Sequence, residues 1–209
     1  MDRYFQMIDL AILGLLKEQD LHGYELRKRL SELPGARSGV VSFGSLYPAL
    51  NRLERSGMVK AVEANTRANR PVPSSGSLAG ELAAFRARHR PAHSGRSKKV
   101  YGITPQGETQ LVALLTDPQP CDDRTFSLRV AFCGFLSSDE RLAMFERRRA
   151  ELLARAAERR RATSGSDGVL DRYRRMLRER DDEALTRDLS WLDRLIAGEQ
   201  GQAMEEAPS

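Results

Sequence analysis

The sequence predicts a mainly α protein with a small β-wing, organised as a winged helix-turn-helix followed by a C-terminal α-helical dimerisation domain. Three observations predict it. Helical periodicity ahead of Gly57 falls into three segments, the second and third carrying leucines at i, i+4 and i+7. Two β-permissive stretches then flank a long polar segment, and a proline-initiated helix follows them. Past Asp123 the pattern changes to long amphipathic helices whose apolar faces exceed what one hairpin can bury.

Met7 to Lys17 is apolar around most of its circumference, which fits a helix buried between neighbours. Asp20 is placed to cap the next helix, where Leu26, Leu30 and Leu33 form the buried stripe. Arg27, Lys28 and Arg29 lie off that stripe, either as a solvated face or near a phosphate backbone. Pro34 and Gly35 end this helix and Ala36 to Val41 forms a loop. The third helix lies in SFGSLYPALNRLERSG, residues 42–57, with Leu46, Leu50 and Leu53 on one side. Pro48 is tolerated only near a helix start, so the regular helix is expected to begin at Gly44 or Ser45, with Ser42 as an alternative cap. Gly57 sits where a left-handed residue closes a helix.

A short helix with small and polar residues at its N-terminal end suits a DNA major groove, because that end offers N–H groups to phosphates and lets side chains reach base edges. Ser45, Pro48, Asn51 and Arg52 project away from the leucine stripe, and Ser45, Tyr47 and Pro48 lie at the N-terminal end. For Tyr47, packing beside Leu50 remains the alternative to a phosphate or base contact.

MVKAVEA after Gly57 and KKVYGI at 98–103 are the two strands of the wing. Between them, residues 65–97 are too long for a hairpin loop and rich in Pro, Gly, Ser and Arg, with a short helix expected in SLAGELAAFRAR. From Asn65 to Lys99 there are eight cations against the single acid Glu81, a local charge of +7 in a chain of net +5. A segment this basic beside a candidate reading helix would add long-range attraction to phosphate. Thr104 caps a helix with Pro105 at its first position, running to about Leu115.

Residues 1–116 thus form the DNA-binding domain with an enlarged basic wing at 65–97, residues 117–123 a linker, 124–198 the helical dimerisation domain, and 199–209 a disordered tail. In the helical part Ser137 or Ser138 caps a long helix whose buried side is marked by Leu142, Phe145, Leu152, Leu153 and Ala156. After a turn at Gly165 to Gly168, Leu170, Tyr173, Leu177, Leu185, Leu189, Trp191, Leu192 and Ile196 are the candidate interface with a second copy. Trp191 either lines an effector pocket there or belongs to the core.

Three blocks, LAILGLLKEQDLHGYELRKRL, SFGSLYPALNRLERSGMV and KVYGITPQGETQL, resemble the PadR family of bacterial transcription regulators, and together they cover most of residues 8–116. HGYE and GSLYPAL are the specific parts, and the C-terminal pattern looks like the helical domain of the larger subgroup. The resemblance implies a homodimer on a palindromic operator in double-stranded DNA, usually a repressor, released by a small-molecule effector. Carried over onto this sequence, it implies DNA contacts at Ser42, Ser45, Tyr47, Pro48, Asn51 and Arg52, with the wing residues Arg96, Lys98 and Lys99 on phosphates. The long wing departs from the family pattern.

No serine, histidine and aspartate grouping, phosphate-binding glycine loop or carboxylate pair suggests an enzyme, and no cofactor is expected. His89 and His93 are separated by Pro91, which breaks the helix that would align them on a metal, and His22 reads as structural. Cys121 and Cys133 have no CxxC spacing and no signal-like segment ahead of them, so free thiols in the cytoplasm are expected, with no membrane partner. A protein-interaction adaptor on the same fold is the alternative function.

Overall fold

The computed structural model describes residues 3–33, 43–63, 99–163 and 172–206. The chain divides into two compact units, Met1–Leu111 and Val112–Ser209.

In the first unit α1 (Arg3–Glu18) is the central helix. Ile8, Ile12 and Leu13 are fully buried, and Leu10, Ala11, Leu15 and Leu16 nearly so, because α2 (Gly23–Glu32), α3 (Phe43–Arg55) and a small sheet all pack on it. The sheet is antiparallel, with order β1-β3-β2 for Leu21–His22, Lys99–Ile103 and Val59–Glu63. β2 and β3 pair from Val59 opposite Ile103 to Glu63 opposite Lys99. The two wing strands thus form where the β-permissive stretches predict them. β1 is new: Leu21 pairs with Tyr101 and His22 with Val100. It displaces the expected Asp20 cap, since α2 starts only at Gly23, with His22 at the cap position and no side-chain capping bond. Asp20 instead lies against Gly102, where a β-carbon would come within 2.4 Å of its carboxylate.

α3 begins at Phe43, one or two residues before the expected start, so Pro48 falls in its second turn. Pro48 has no N–H for the carbonyl of Gly44, which leaves a gap in the ladder near the helix N-terminus. The other end is closed by Gly57 at φ 73°, with Gly57 N–H donating to Glu54 O at 3.1 Å and Met58 N–H to Leu53 O at 2.9 Å. These are the two bonds of a Schellman cap. An L side chain in this conformation costs about 1–2 kcal/mol, so Gly57→Ala is expected to lower the urea midpoint of the first unit with an unchanged slope.

α4 (Pro105–Thr116) starts as its sequence predicts. Thr104 Oγ1 accepts from Gly107 N–H at 3.1 Å and donates to Gly57 O at 2.7 Å, so one hydroxyl caps α4 and ties it to the end of α3.

The second unit is helical: α5 (Asp123–Phe132), a 3-10 turn (Cys133–Phe135), α6 (Ser138–Thr163) and α7 (Arg172–Glu206). Ser137 and Glu140 form a capping box, the Glu140 carboxylate accepting from Ser137 N–H at 2.9 Å, and this holds the Glu140 carboxyl below its ordinary value. The core joins Phe126, Met144, Phe145, Leu152 and Leu192. Two expectations fail here. The buried side of α6 runs through Met144, Phe145, Arg148 and Leu152, whereas Leu153 is exposed. The last helix continues to Glu206 instead of giving way to a tail at residue 199, because Glu199 accepts from Arg141 at 2.8 Å and Ser138 at 3.2 Å and so ties that turn to α6.

Residues 65–97 lie outside the described residues, as do the expected loop at 36–41, the insert helix and the turn at Gly165 to Gly168. Among the described residues no helix is long and apolar enough to cross a membrane.

Candidate nucleic-acid interface

α3 is held by its leucines. Leu46, Ala49, Leu50 and Leu53 are buried, so the side of the helix that remains outward is fixed by where they are not. Tyr47, Asn51 and Arg55 are exposed at i, i+4 and i+8, with Pro48 exposed beside them. That spacing makes one continuous stripe: an aromatic ring with a hydroxyl, an amide able to donate and accept, and a guanidinium.

The stripe has built edges. On one side the half-exposed Tyr47 ring reaches back over Gly23, where a β-carbon would stand 3.6 Å from it and from Tyr101. Tyr101 is buried on the middle strand, and that burial, with the Glu54 charge secondary, pushes its hydroxyl up. Glu54 meets Lys99 of β3 at 3.7 Å, a partly exposed pair that contributes little stability. On the other side Arg52 turns inward and bonds Asp9 of α1. Lys60 and Lys99 are exposed cations on the two wing strands.

Several expected contacts are therefore brought together and others are not. Tyr47, Pro48 and Asn51 share the stripe, Ser45 is half-buried at the helix start, and Lys99 stands on the adjoining strand. Arg52, expected at the DNA, has its guanidinium on Asp9 and over the Phe5 ring at 4.9 Å. Ser42, Arg96 and Lys98 lie outside the described residues. Arg55 is missing from the sequence reading, although its spacing from Tyr47 and Asn51 was the signal that places it. His22 has a buried Nδ1 without a hydrogen-bond partner among the described residues, at the strand-to-helix turn where a structural role was expected.

In the second unit the expected interface residues divide. Leu192 is 1% exposed inside the unit's own core, and Leu185, Leu189 and Ile196 pack against that core, so these four already have partners within the chain. Trp191 stands edge-on to Phe126 at 6.3 Å while staying partly exposed. Tyr173 and Leu177, with Met176, remain outward, and Leu170 is outside the described residues. Among the described residues no group of His, Cys, Asp or Glu is arranged to hold a metal.

A leucine-anchored third helix with an exposed polar stripe, preceded by α2 and followed by paired wing strands, defines a winged helix-turn-helix protein. Residues 12–72 match the "Transcriptional regulator PadR-like family", and over those residues the chain carries a PadR-like domain. No curated relative matches the sequence. Solved structures similar to it include Bacillus subtilis PadR in complex with operator DNA, 20% identical over 91% of this chain and 98% of that one with a TM-score of 0.38. The same protein in complex with p-coumaric acid is 20% identical over 93% and 99%, with a TM-score of 0.36. A PadR-like transcriptional regulator from Bacillus cereus is 17% identical over 93% and 99%, with a TM-score of 0.36.

Proposed function

We propose that this protein is a transcription regulator that reads duplex DNA with α3 in the major groove. The observation that carries the reading is the outward stripe of Tyr47, Asn51 and Arg55 on a helix whose opposite side is locked in the core. Asn suits adenine by pairing a donor with an acceptor, Arg suits guanine by donating to both N7 and O6, and the first turn of α3 faces phosphate. The PadR-like domain supports the same assignment.

The finer parts of the proposal concern assembly and control. Residues 1–116 form the DNA-binding part and 124–198 join two copies, with 117–123 between them; the two copies then read a palindrome as a repressor. Exposed Tyr173, Met176 and Leu177 are the surface that supports self-association. Relief comes from a small-molecule effector, and a groove of about 560 Å³ between α6 and α7, lined by Leu153, Ala156, Leu185 and Leu189 with Arg178 and Asp181 beside them, has the size for one.

Selection of binding sites by the full chain from a random duplex pool tests the reading. A two-fold symmetric site should be enriched, and Asn51→Ala should narrow the preference for that site over random duplex by roughly tenfold or more. A pool that returns unenriched leaves the adaptor reading standing. Light scattering on the same sample should give twice the chain mass, and a monomer would remove the palindrome.

A further inference from the structure

We propose that Asp9 and Arg52 are positioning residues for DNA reading: their bond sets the rotation of α3 on α1, and Arg52 itself does not touch DNA. The inference rests on the reading above, because it concerns how the stripe is aimed.

The leucine contacts between α1 and α3 are short-ranged but not directional. They set which side of α3 faces outward but leave some play in its turn about its own axis. Side-chain atoms on a helix surface lie about 5–6 Å from that axis, so a rotation of about 20° moves an Asn51 amide by about 2 Å. A base-edge hydrogen bond tolerates only a few tenths of an ångström. Something directional has to fix the rotation.

Arg52 is placed to do so. It sits at the border between the buried leucines and the outward stripe, one residue after Asn51. Its Nη2 bonds Asp9 Oδ1, and its guanidinium lies over the Phe5 ring, so one planar group is fixed from two sides by the same helix. The side chains are 35% exposed for Arg52 and 13% for Asp9. Burial pushes the Asp9 carboxyl up, while the Arg52 hydrogen bond and charge act against that shift. A carboxylate in this position is costly without its partner, which makes the bond selective for one arrangement of the two helices. On the opposite flank the Glu54 and Lys99 pair is looser, at 3.7 Å.

The test uses the full chain and the duplex enriched from the random pool. Asp9→Asn and Arg52→Gln are each expected to weaken binding to that duplex by about tenfold while leaving random duplex nearly unchanged, and the double variant should lose little more than either single one. The slope of log K against log salt should stay at its original value in both, since no phosphate contact is removed. Binding is measured well below the unfolding temperature of each variant, so that lost stability alone leaves the preference intact. Should Asp9→Asn fail to fold, Phe5→Leu, which removes only the ring from the guanidinium, should shift the same preference in the same direction. A slope flattened by about 0.9 in Arg52→Gln, with Asp9→Asn binding normally, would make Arg52 a phosphate contact and overturn the proposal while DNA reading stands. Variants that lower the unfolding temperature but keep the full preference also overturn it. If no duplex is enriched, the DNA reading falls and takes this inference with it.

Discussion

Gly107→Ala is expected to be the most damaging single-methyl change in the first unit. A β-carbon there would lie 2.1 Å from the carbonyl oxygen of Met58 and 2.8 Å from Cγ1 of Ile103. Neither neighbour is free to yield. The Met58 carbonyl accepts from Thr104 N–H at 3.1 Å and shares the Thr104 hydroxyl proton with the Gly57 carbonyl, so moving it breaks the junction that joins the end of α3 to the start of α4. Overpacking against a side chain costs about 1–3 kcal/mol, and a fixed carbonyl puts this site near the upper end, about 3 kcal/mol. For a unit of this size that is a fall of roughly 15 °C in the unfolding temperature of the first transition. Gly198→Ala is the internal control. It lies within α7 with nothing within 4 Å of an added β-carbon, so the same methyl should raise stability by about 0.5–1 kcal/mol. Calorimetry of the two variants separates them, and equal shifts would show that the close approach at Gly107 is not what matters.

Such a junction also marks the limit of what the residues alone disclose. The leucine stripes of α2 and α3, the Thr104 and Pro105 start of α4 and the Gly57 stop are legible because each depends on neighbours in sequence. β1 is not, since two residues carry no periodicity and Leu21–His22 becomes a strand only because β3 offers it an edge. The buried side of α6 is read right at Phe145 and Leu152 and misread at Leu153 for a related reason. Sequence patterning treats Arg148 as a solvent-facing residue and so turns the helix toward Leu142 and Leu153, whereas the fold buries the arginine and exposes Leu153. Arg52 poses the same difficulty in reverse. A guanidinium on a reading helix looks alike in sequence whether it meets a phosphate or Asp9, and the distance of 43 residues between the partners hides the difference. The stripe of Tyr47, Asn51 and Arg55 was legible in part, because Tyr47 stands near a helix start and Asn51 is polar and off the leucine stripe, while Arg55 sits at the far end, where a basic residue is ordinary.

Arg148→Ala is the corresponding large effect in the second unit, expected to cost about 3 kcal/mol. The side chain is 5% exposed and has four neighbours of very different weight. Its Nη1 donates to the Cys121 carbonyl at 2.9 Å and to Glu151 at 3.2 Å, its Nη2 bonds Asp123, and its guanidinium lies over the Phe126 ring at 5.0 Å. Asp123 is 83% exposed, so water screens that pair and compensates its loss. Glu151 is only 18% exposed, and the loss of Arg148 leaves its carboxylate with less compensation for that burial. The order of cost therefore follows burial and not the shortness of the contact: Asp123→Asn under about 1 kcal/mol, Arg148→Lys in between, and Arg148→Ala largest. Arg148→Met should recover part of the loss, because its stem refills the space against Phe126 although the Cys121 carbonyl stays unpaired. Urea unfolding of the four variants checks the ranking. A cost for Asp123→Asn equal to that of Arg148→Ala would mean that the exposed ion pair, and not the buried contacts to the Cys121 carbonyl, Glu151 and Phe126, anchors α6 against the segment leading into α5.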